Sequence, residues 1–424
     1  FTKSPDTTFE QDLPAMLAVI RKAVETALSS PTGTFFDLWR NLYDEQSVWA
    51  SDEKHPPLLA NLGVSLVERA LLDALCRHLG HPAHEVIREN LLGLRLGEVR
   101  PELEGIAPPS FLPERPSASM VARHTIGLGD PLTPNDVTAE TRADDTLPLD
   151  LEACARAYGL THFKIKVCGN LETDLPRLRA IADLLGNQVL FTLDGNEQYS
   201  SIAAFREHWE AWREDGGIRA FLDAGLLLVE QPAHRDETFC EEVTDDLAAW
   251  ADRPPFIIDE ADGSLDSLPK ALDLGYDGAS HKNCKGIVKG IANAGTLARA
   301  AAARNRPVHL TGEDLANVGP IALLQDLAMM ATLGIQHVER NGHHYFRGLS
   351  AWPKPVQEAI LTHHGDLYHR HADGYPTLRI ENGKLSVSSL LTASFGVKPQ
   401  LVLENLDAAN LEDTPAFLAV GLPS

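Results

Sequence analysis

Lys164 and Lys166 stand two apart in the run THFKIKVC (161–168), flanked and separated by Phe163, Ile165 and Val167. In a β-strand alternate side chains share a face, so both ammonium groups project one way and the apolar residues the other. Like charges side by side repel, and burying either one without a partner is costly. Farther along, Asp194 closes VLFTLD, Glu230 closes GLLLVE, Asp259 closes PFIID, and Lys282 falls near the end of DGASHKN. Three carboxylates converging in one pocket repel unless a cation sits among them, and oxygen donors alone indicate Mg²⁺, or Mn²⁺ in its place, rather than zinc. Two lysines flanking that metal are expected to be amines with lowered pKa, because the metal and neighbouring Lys164 disfavour their charged form. An amine that is neutral near working pH serves as a general base. Together the set suits removal of a weakly acidic proton next to a substrate carboxylate, with the metal stabilising the dianion that results.

These residues must be carried by elements that bring them to one place. Short apolar runs recur at a spacing of about 30 residues, the size of a βαβ unit: 122–128, 162–167, 189–194, 225–230, 255–259, 277–283, 307–312 and 335–339. Helical stretches such as 174–185 and 287–304 lie between most of them. The alternation implies a parallel sheet, and eight strands point to a TIM-type barrel, although a doubly wound open sheet shares the pattern. Lys166, Asp194, Glu230, Asp259 and Lys282 sit at or near the C-terminal ends of successive runs, where such barrels carry their active sites.

Upstream, 14–29 and 61–79 have the apolar spacing of helices, the second closed by Gly80 and Pro82, and the proline-rich 107–119 reads as a linker. After residue 373, PTLRIENGKLSVSS reads as a strand pair turning at Asn382-Gly383. The chain has 424 residues and a formal net charge of −23, which argues against nucleic acid or anionic membrane as a partner and requires any anion site to be made locally positive. No uncharged run approaches the length of a membrane helix. Five scattered cysteines without a CxxC pair suit reduced thiols in a cytoplasmic protein. The first residue is Phe1 rather than Met, which leaves room for a preceding segment such as a signal peptide.

With KIK (164–166), LDGN (193–196), VEQP (229–232), IDE (258–260) and HKNCKG (281–286) in that order, the chain resembles the enolase superfamily. The helix VERALLDALCRHLG looks like the capping-domain helix of that family. The likeness runs from about residue 60 to 390 and favours the branch of muconate lactonizing enzyme and the epimerases over that of mandelate racemase. The family is known for a Lys or His base with Mg²⁺ stabilising an ene-diolate. The resemblance implies a modified (β/α)7β barrel over 120–375. A capping domain is expected from 1–119, its initial β-sheet apparently missing because 1–60 reads as helices, with 376–424 completing the cap. It implies Asp194, Glu230 and Asp259 as metal ligands, with Glu260 the alternative to Asp259. Lys166 and Lys282 would be the acid/base pair on opposite faces of the substrate, and Lys164 would lower the pKa of Lys166 and touch the substrate carboxylate. Lys285 competes with Lys282, but parity favours Lys282, which directly ends its strand. Asn196, Glu260, Glu313 and Glu339 are further pocket candidates, the two last expected at the pocket mouth.

The implied reaction is Mg-dependent abstraction of an α-proton from a small carboxylate, leading through an enediolate to racemisation, epimerisation, cycloisomerisation or dehydration. A homo-oligomer is expected. An acid-sugar dehydratase of the mandelate racemase type is an alternative, but strand seven ends in GED where a catalytic His would be expected, and His309 lies earlier, in the strand. A Schiff-base lyase on a TIM barrel, with Lys166 as nucleophile, is another, and it leaves the three carboxylates without a task. The histidines at 343, 344, 363, 364, 369 and 371 lack the HxxxH spacing of a helical zinc site and read as a solvated loop. Cys168 and Cys284 share parity with Lys166 and Lys282 and read as space-filling thiols at the barrel mouth.

Overall fold

Each apolar run is followed by a helix that returns the chain to the same end of the sheet, so the strands lie parallel. They are β1 (Ser119–Ile126), β2 (His162–Lys166), β3 (Leu190–Asp194), β4 (Leu226–Glu230), β5 (Phe256–Ile258), β6 (Gly278–His281), β7 (His309–Gly312) and β8 (His337–Arg340). Neighbours pair in chain order, and β1 pairs with β8 to close an eight-stranded TIM-type barrel. The computed structural model describes residues 8–138, 147–314, 318–342 and 346–398.

Ahead of the barrel come α1 (Phe9–Ser29), α2 (Phe35–Asp52), α3 (Pro57–Leu79), α4 (Ala83–Arg88) and α5 (Leu96–Val99). Around it are α6 (Leu151–Tyr158), α7 (Leu171–Leu185), α8 (Ile202–Glu214), α9 (Gly216–Gly225), α10 (Glu242–Ala248), α11 (Ser267–Leu274), α12 (Ile287–Ala303) and α13 (Ile321–Thr332). Local chemistry sets several helix starts: the side chains of Asp150, Asn170 and Ser201 accept from the backbone N–H of Ala153, Thr173 and Ala204. The apolar core fills the layer between strands and helices. There Phe191 stacks on Phe221 with ring centroids 4.2 Å apart, and Phe205, Trp212, Trp250 and Phe256 pack edge to face or tilted. None of the described helices is long and apolar enough to cross a membrane.

Two placements bear on the site. α3 packs on α1 and α2 and also against the turn Asn283–Lys285 that follows β6. From it, Asn61 donates to the Gly263 carbonyl at 2.7 Å, and Glu68 accepts from Ile287 and Val288 N–H at the start of α12. The helix Lys354–His363 after β8 contacts β9 (Tyr368–Arg370) and β10 (Pro376–Leu378), which pair with each other in a two-stranded sheet separate from the ring.

The expected hairpin at Asn382-Gly383 is corrected. The turn is there, with φ of 51° and 70° and a Glu381–Lys384 bridge. The strands it joins go to different partners: β10 pairs with β9, and β11 (Lys384–Ser386) pairs antiparallel with Ser119–Val121 of β1. β2 begins pairing with β1 only at Arg123, so the first residues of β1 overhang it and present backbone groups that β11 takes. Beyond β11 the chain reaches α13 and α4, where Ala83 N–H donates to the Ser394 carbonyl at 2.6 Å. The histidine-rich stretch is likewise not a solvated loop. His363 ends a helix, His364 is buried with its ring 2.9 Å from the Ser389 hydroxyl, and His369 lies in β9, with His371 next to it stacked on Tyr375. His343 and His344 lie outside the described residues.

Candidate active site

Parity places one face of each strand inside the ring, and that interior is charged rather than filled with branched apolar residues as is usual for such barrels. In register, Lys166 lies beside Asp194 and Asp194 beside Glu230. Asp259 follows β5 by one residue and Lys282 follows β6 by one. The five expected side chains therefore do meet at the C-terminal end of the ring.

Lys166 Nζ donates to Asp194 at 2.8 Å, and Lys282 Nζ to Asp259 at 2.6 Å. These two ammonium-bearing side chains keep some exposure, 23% and 16%. Lys164 does not, at 2%. Its ammonium lies among four carboxylates: 2.8 Å from Glu313, 2.9 Å from Glu230, 3.1 Å from Asp194 and 3.4 Å from Glu339. The protein's own carboxylates surround this amine and serve as its counter-ions. Lys285, the competitor of Lys282, is also buried, 2.9 Å from Asp259 and donating to the carbonyl and hydroxyl of Ser280. It backs the site from beneath, and Lys282 faces the opening.

Glu313 and Glu339 are not at the mouth. Glu313 is fully buried and accepts from Arg123 and the Thr311 hydroxyl, both at 2.6 Å, and from Lys164. Glu339 accepts from the Thr125 hydroxyl and the Asp314 N–H. Asn196 donates its backbone N–H to Asp194 at 2.8 Å, and its side chain lies 3.3 Å from Glu260. Cys284 is buried against Val19 and Leu59 rather than at the mouth, and Cys168 gives its backbone N–H to Asp174. His309 sits at the start of β7, at the opposite end of the ring from the lysines.

The protein's own carboxylates act on these amines in the direction opposite to a metal. Burial is the largest influence on Lys166 and lowers its pKa, but Asp194 beside it, together with Glu339, raises it above the ordinary range. Burial also opposes the charge on Lys282 and Lys164, yet Asp259 in the first case and Asp194 with three other carboxylates in the second hold both well above the ordinary range. The amines act as counter-ions to the carboxylates. Glu230 behaves oppositely: burial, then Glu313 close by, pushes its carboxyl well above the usual range despite Lys164.

Among the described residues, no three acidic, histidine or cysteine side chains converge on a common metal position. Asp194 and Asp259 turn to the lysines instead. The donor set nonetheless fits a hard divalent cation: three buried carboxylates on three adjacent strands, oxygen donors only. One atom in particular fits. Glu230 Oε2 is buried and accepts no hydrogen bond, although the Lys164 ammonium is 2.9 Å away and out of line.

Sequence reasoning missed Arg123, Gln231 and Ser280. Arg123, buried in β1 and bonded to Glu313 and His337, was signalled by its alternation with Thr125 in ARHTIGL. Ser280 donates to Asp259 at 2.5 Å. Neither it nor Gln231 carries a charge that would draw notice.

Residues 149–389 match the family model of the enolase C-terminal domain-like proteins. No curated protein matches the sequence. Among solved structures, a mandelate racemase/muconate lactonizing enzyme from Bordetella bronchiseptica is 16% identical, with a TM-score of 0.53 over 86% of this chain and 80% of that one. The 3,6-anhydro-D-galactonate cycloisomerase from Zobellia galactanivorans is 16% identical, with a TM-score of 0.50 over 87% and 82%. An enolase from Bradyrhizobium, in complex with magnesium and mandelic acid, is 16% identical, with a TM-score of 0.50 over 87% and 77%. At such identities the likeness is one of fold.

Proposed function

Since the chain is an enzyme of the enolase superfamily, we propose that it removes the α-proton of a small carboxylate substrate and returns a proton to the resulting enediolate. One observation carries this reading. In a ring of eight, β2 and β6 stand four strands apart, so Lys166 and Lys282 oppose each other across the mouth, with the carboxylates of β3, β4 and β5 between them. A base on each side of one carbon is what racemisation or epimerisation needs. One base with the second lysine as a cation serves cycloisomerisation or elimination.

The charged side chains that converge inside the ring, at its mouth and beneath it, are balanced: Arg123, Lys164, Lys166, Lys282 and Lys285 against Asp194, Glu230, Asp259, Glu313 and Glu339. Mg²⁺, or Mn²⁺ in its place, held by Asp194, Glu230 and Asp259, would supply two positive charges, enough to offset the two negative charges of an enediolate. With Asp194 so engaged, Lys166 loses the carboxylate that holds its proton, and its burial and the charge of Lys164 both lower its pKa. Lys282 stands in the same relation to Asp259. Lys164 keeps Glu313 and Glu339 as counter-ions and stays charged. Asp259 is favoured over Glu260 as the third ligand because it is held by Ser280 and two lysines inside the ring, whereas Glu260 lies beside Asn196. The branch of muconate lactonizing enzyme and the epimerases is preferred because Glu313, at the end of β7, is bonded to Arg123, in the place where a mandelate racemase-type site would carry its histidine. Residues 1–119 and 376–424 are taken as the cap and 120–375 as the barrel, and a homo-oligomer is part of the same reading.

The test is a screen of acid sugars, dipeptides and N-acyl amino acids in heavy water with Mg²⁺, followed by proton NMR at the α-carbon. Washout of the α-proton from one class supports the reading. Turnover of a keto substrate with borohydride trapping on Lys166, insensitive to chelator, would replace it with the Schiff-base lyase.

A further inference from the structure

Gln231 follows Glu230 and occupies a backbone conformation that L-residues rarely adopt, with φ of 35°. Such a residue persists only where its surroundings over-determine it. Its side chain is 1% exposed, and all its hydrogen-bonding capacity is used. Oε1 accepts from the backbone N–H of Asp259 at 2.8 Å and of Ala261 at 3.2 Å. Nε2 donates to the Ala233 carbonyl and to the Thr238 hydroxyl oxygen, both at 2.8 Å. The main chain extends the pattern, since Gln231 N–H donates to the Ile257 carbonyl and its own carbonyl accepts from Glu197 N–H, both at 2.9 Å.

One uncharged residue thus touches the loops that carry Asp194, Glu230 and Asp259. A carbonyl in place of the amide would serve only the two donors, and a hydroxyl has one hydrogen for the two acceptors. We propose that Gln231 is a positioning residue for the cation site: it fixes the backbone at Asp259 and Ala261 relative to Glu230, so that the three carboxylates are presented together. The inference rests on the cation reading above and deepens it. Groups that orient ligands from behind are commonly worth 10- to 100-fold in metal affinity.

The experiment uses the full chain and two probes. The first is free Mn²⁺, titrated and followed by electron paramagnetic resonance. The second is hydrogen–deuterium exchange of the peptide spanning 256–264, measured without any metal. Gln231→Met keeps the shape and removes both the acceptor and the donor. Its Mn²⁺ affinity is expected to fall about 10- to 100-fold, with the Asp259 and Ala261 amides exchanging at least about tenfold faster. Thr238→Val, which loses only one partner of Nε2 and leaves φ at 231 untouched, is expected to show a smaller change in the same direction. It also serves as the readout if Gln231→Met does not fold. Unchanged exchange in either folded variant overturns the clamp, and faster exchange with unchanged Mn²⁺ affinity overturns the positioning role. If the unaltered protein binds no Mn²⁺, it is the cation reading that fails, and the exchange data still decide whether the clamp exists.

Discussion

On the proposed reading the chemistry turns on Lys166 and Lys282, which among the described lysines of the ring keep an opening toward the mouth. If they approach the α-carbon from opposite sides, each reaches the proton of only one enantiomer, since transfer needs contact at roughly 2.6–3.2 Å. In heavy water, Lys166→Ala is expected to lose exchange on one enantiomer of a racemisable substrate and Lys282→Ala on the other. Exchange of both enantiomers by both variants would remove these lysines from the mechanism. Asp194 has a second task beyond any metal, because it accepts from Lys166 and from Asn196 N–H. Asp194→Ala is expected to abolish turnover and Mn²⁺ binding while far-UV circular dichroism stays native. Turnover within about tenfold of the unaltered protein would reject this carboxylate as a ligand.

At the scale of elements, α3 is the strut that holds the loops after β5 and β6. It does so by Asn61 on the Gly263 carbonyl and by Glu68 at the start of α12, directly beyond Lys285. Glu68 is fully buried, and burial lifts its pKa to about 7 in spite of the two N–H groups it accepts from. In the unfolded chain it titrates near 4.5. Between those values the folded state holds a proton that the unfolded state has lost, so stability falls as pH rises across this window. The contribution is present in full below about pH 4.5 and is lost by about pH 7, a change of about 3 kcal/mol. In urea titrations, Glu68→Gln is expected to flatten that part of the stability curve. A curve that keeps its slope in the variant would show that Glu68 is not the titrating group. The same helix meets α1 closely at Gly63, where an added Cβ would fall 2.2 Å from the Val19 carbonyl oxygen. Gly63→Ala is therefore expected to cost about 1–3 kcal/mol through a forced shift of the helices.

For the whole molecule, the net charge of −23 and the balanced ring work against each other for an anionic substrate. Far from the mouth the protein repels it, and only inside do Lys166 and Lys282 become the nearest charges. Repulsion over tens of ångströms is screened once the Debye length falls to about 10 Å, near 0.1 M salt. With a carboxylate substrate, kcat/KM is expected to rise a few-fold as inert salt increases from about 10 to 150 mM, and kcat to change little. A fall in kcat/KM over that range would mean that the lysines at the mouth, rather than the overall charge, govern approach.

Much of this was legible in the sequence because strand ends are local. An apolar run followed by a single acid or base identifies both the strand and the end of it that matters, and parity assigns its face. That reasoning held for Lys166, Asp194, Glu230, Asp259 and Lys282 as neighbours at one end of a ring. It failed where partners are chosen across the ring. Arg123 and Glu313 are 190 residues apart, and nothing near either one marks the pair. Lys164 has the same alternation as Lys166, yet sits one layer deeper, where closure of the barrel brings Glu313 and Glu339 from β7 and β8 onto it. The same holds for β11, whose partner was settled by the overhang of β1 beyond β2 rather than by its own turn at Asn382-Gly383. Alternation along a strand determines which way a side chain points. Which charges it then meets, and so which way its pKa moves, depends on the closed ring.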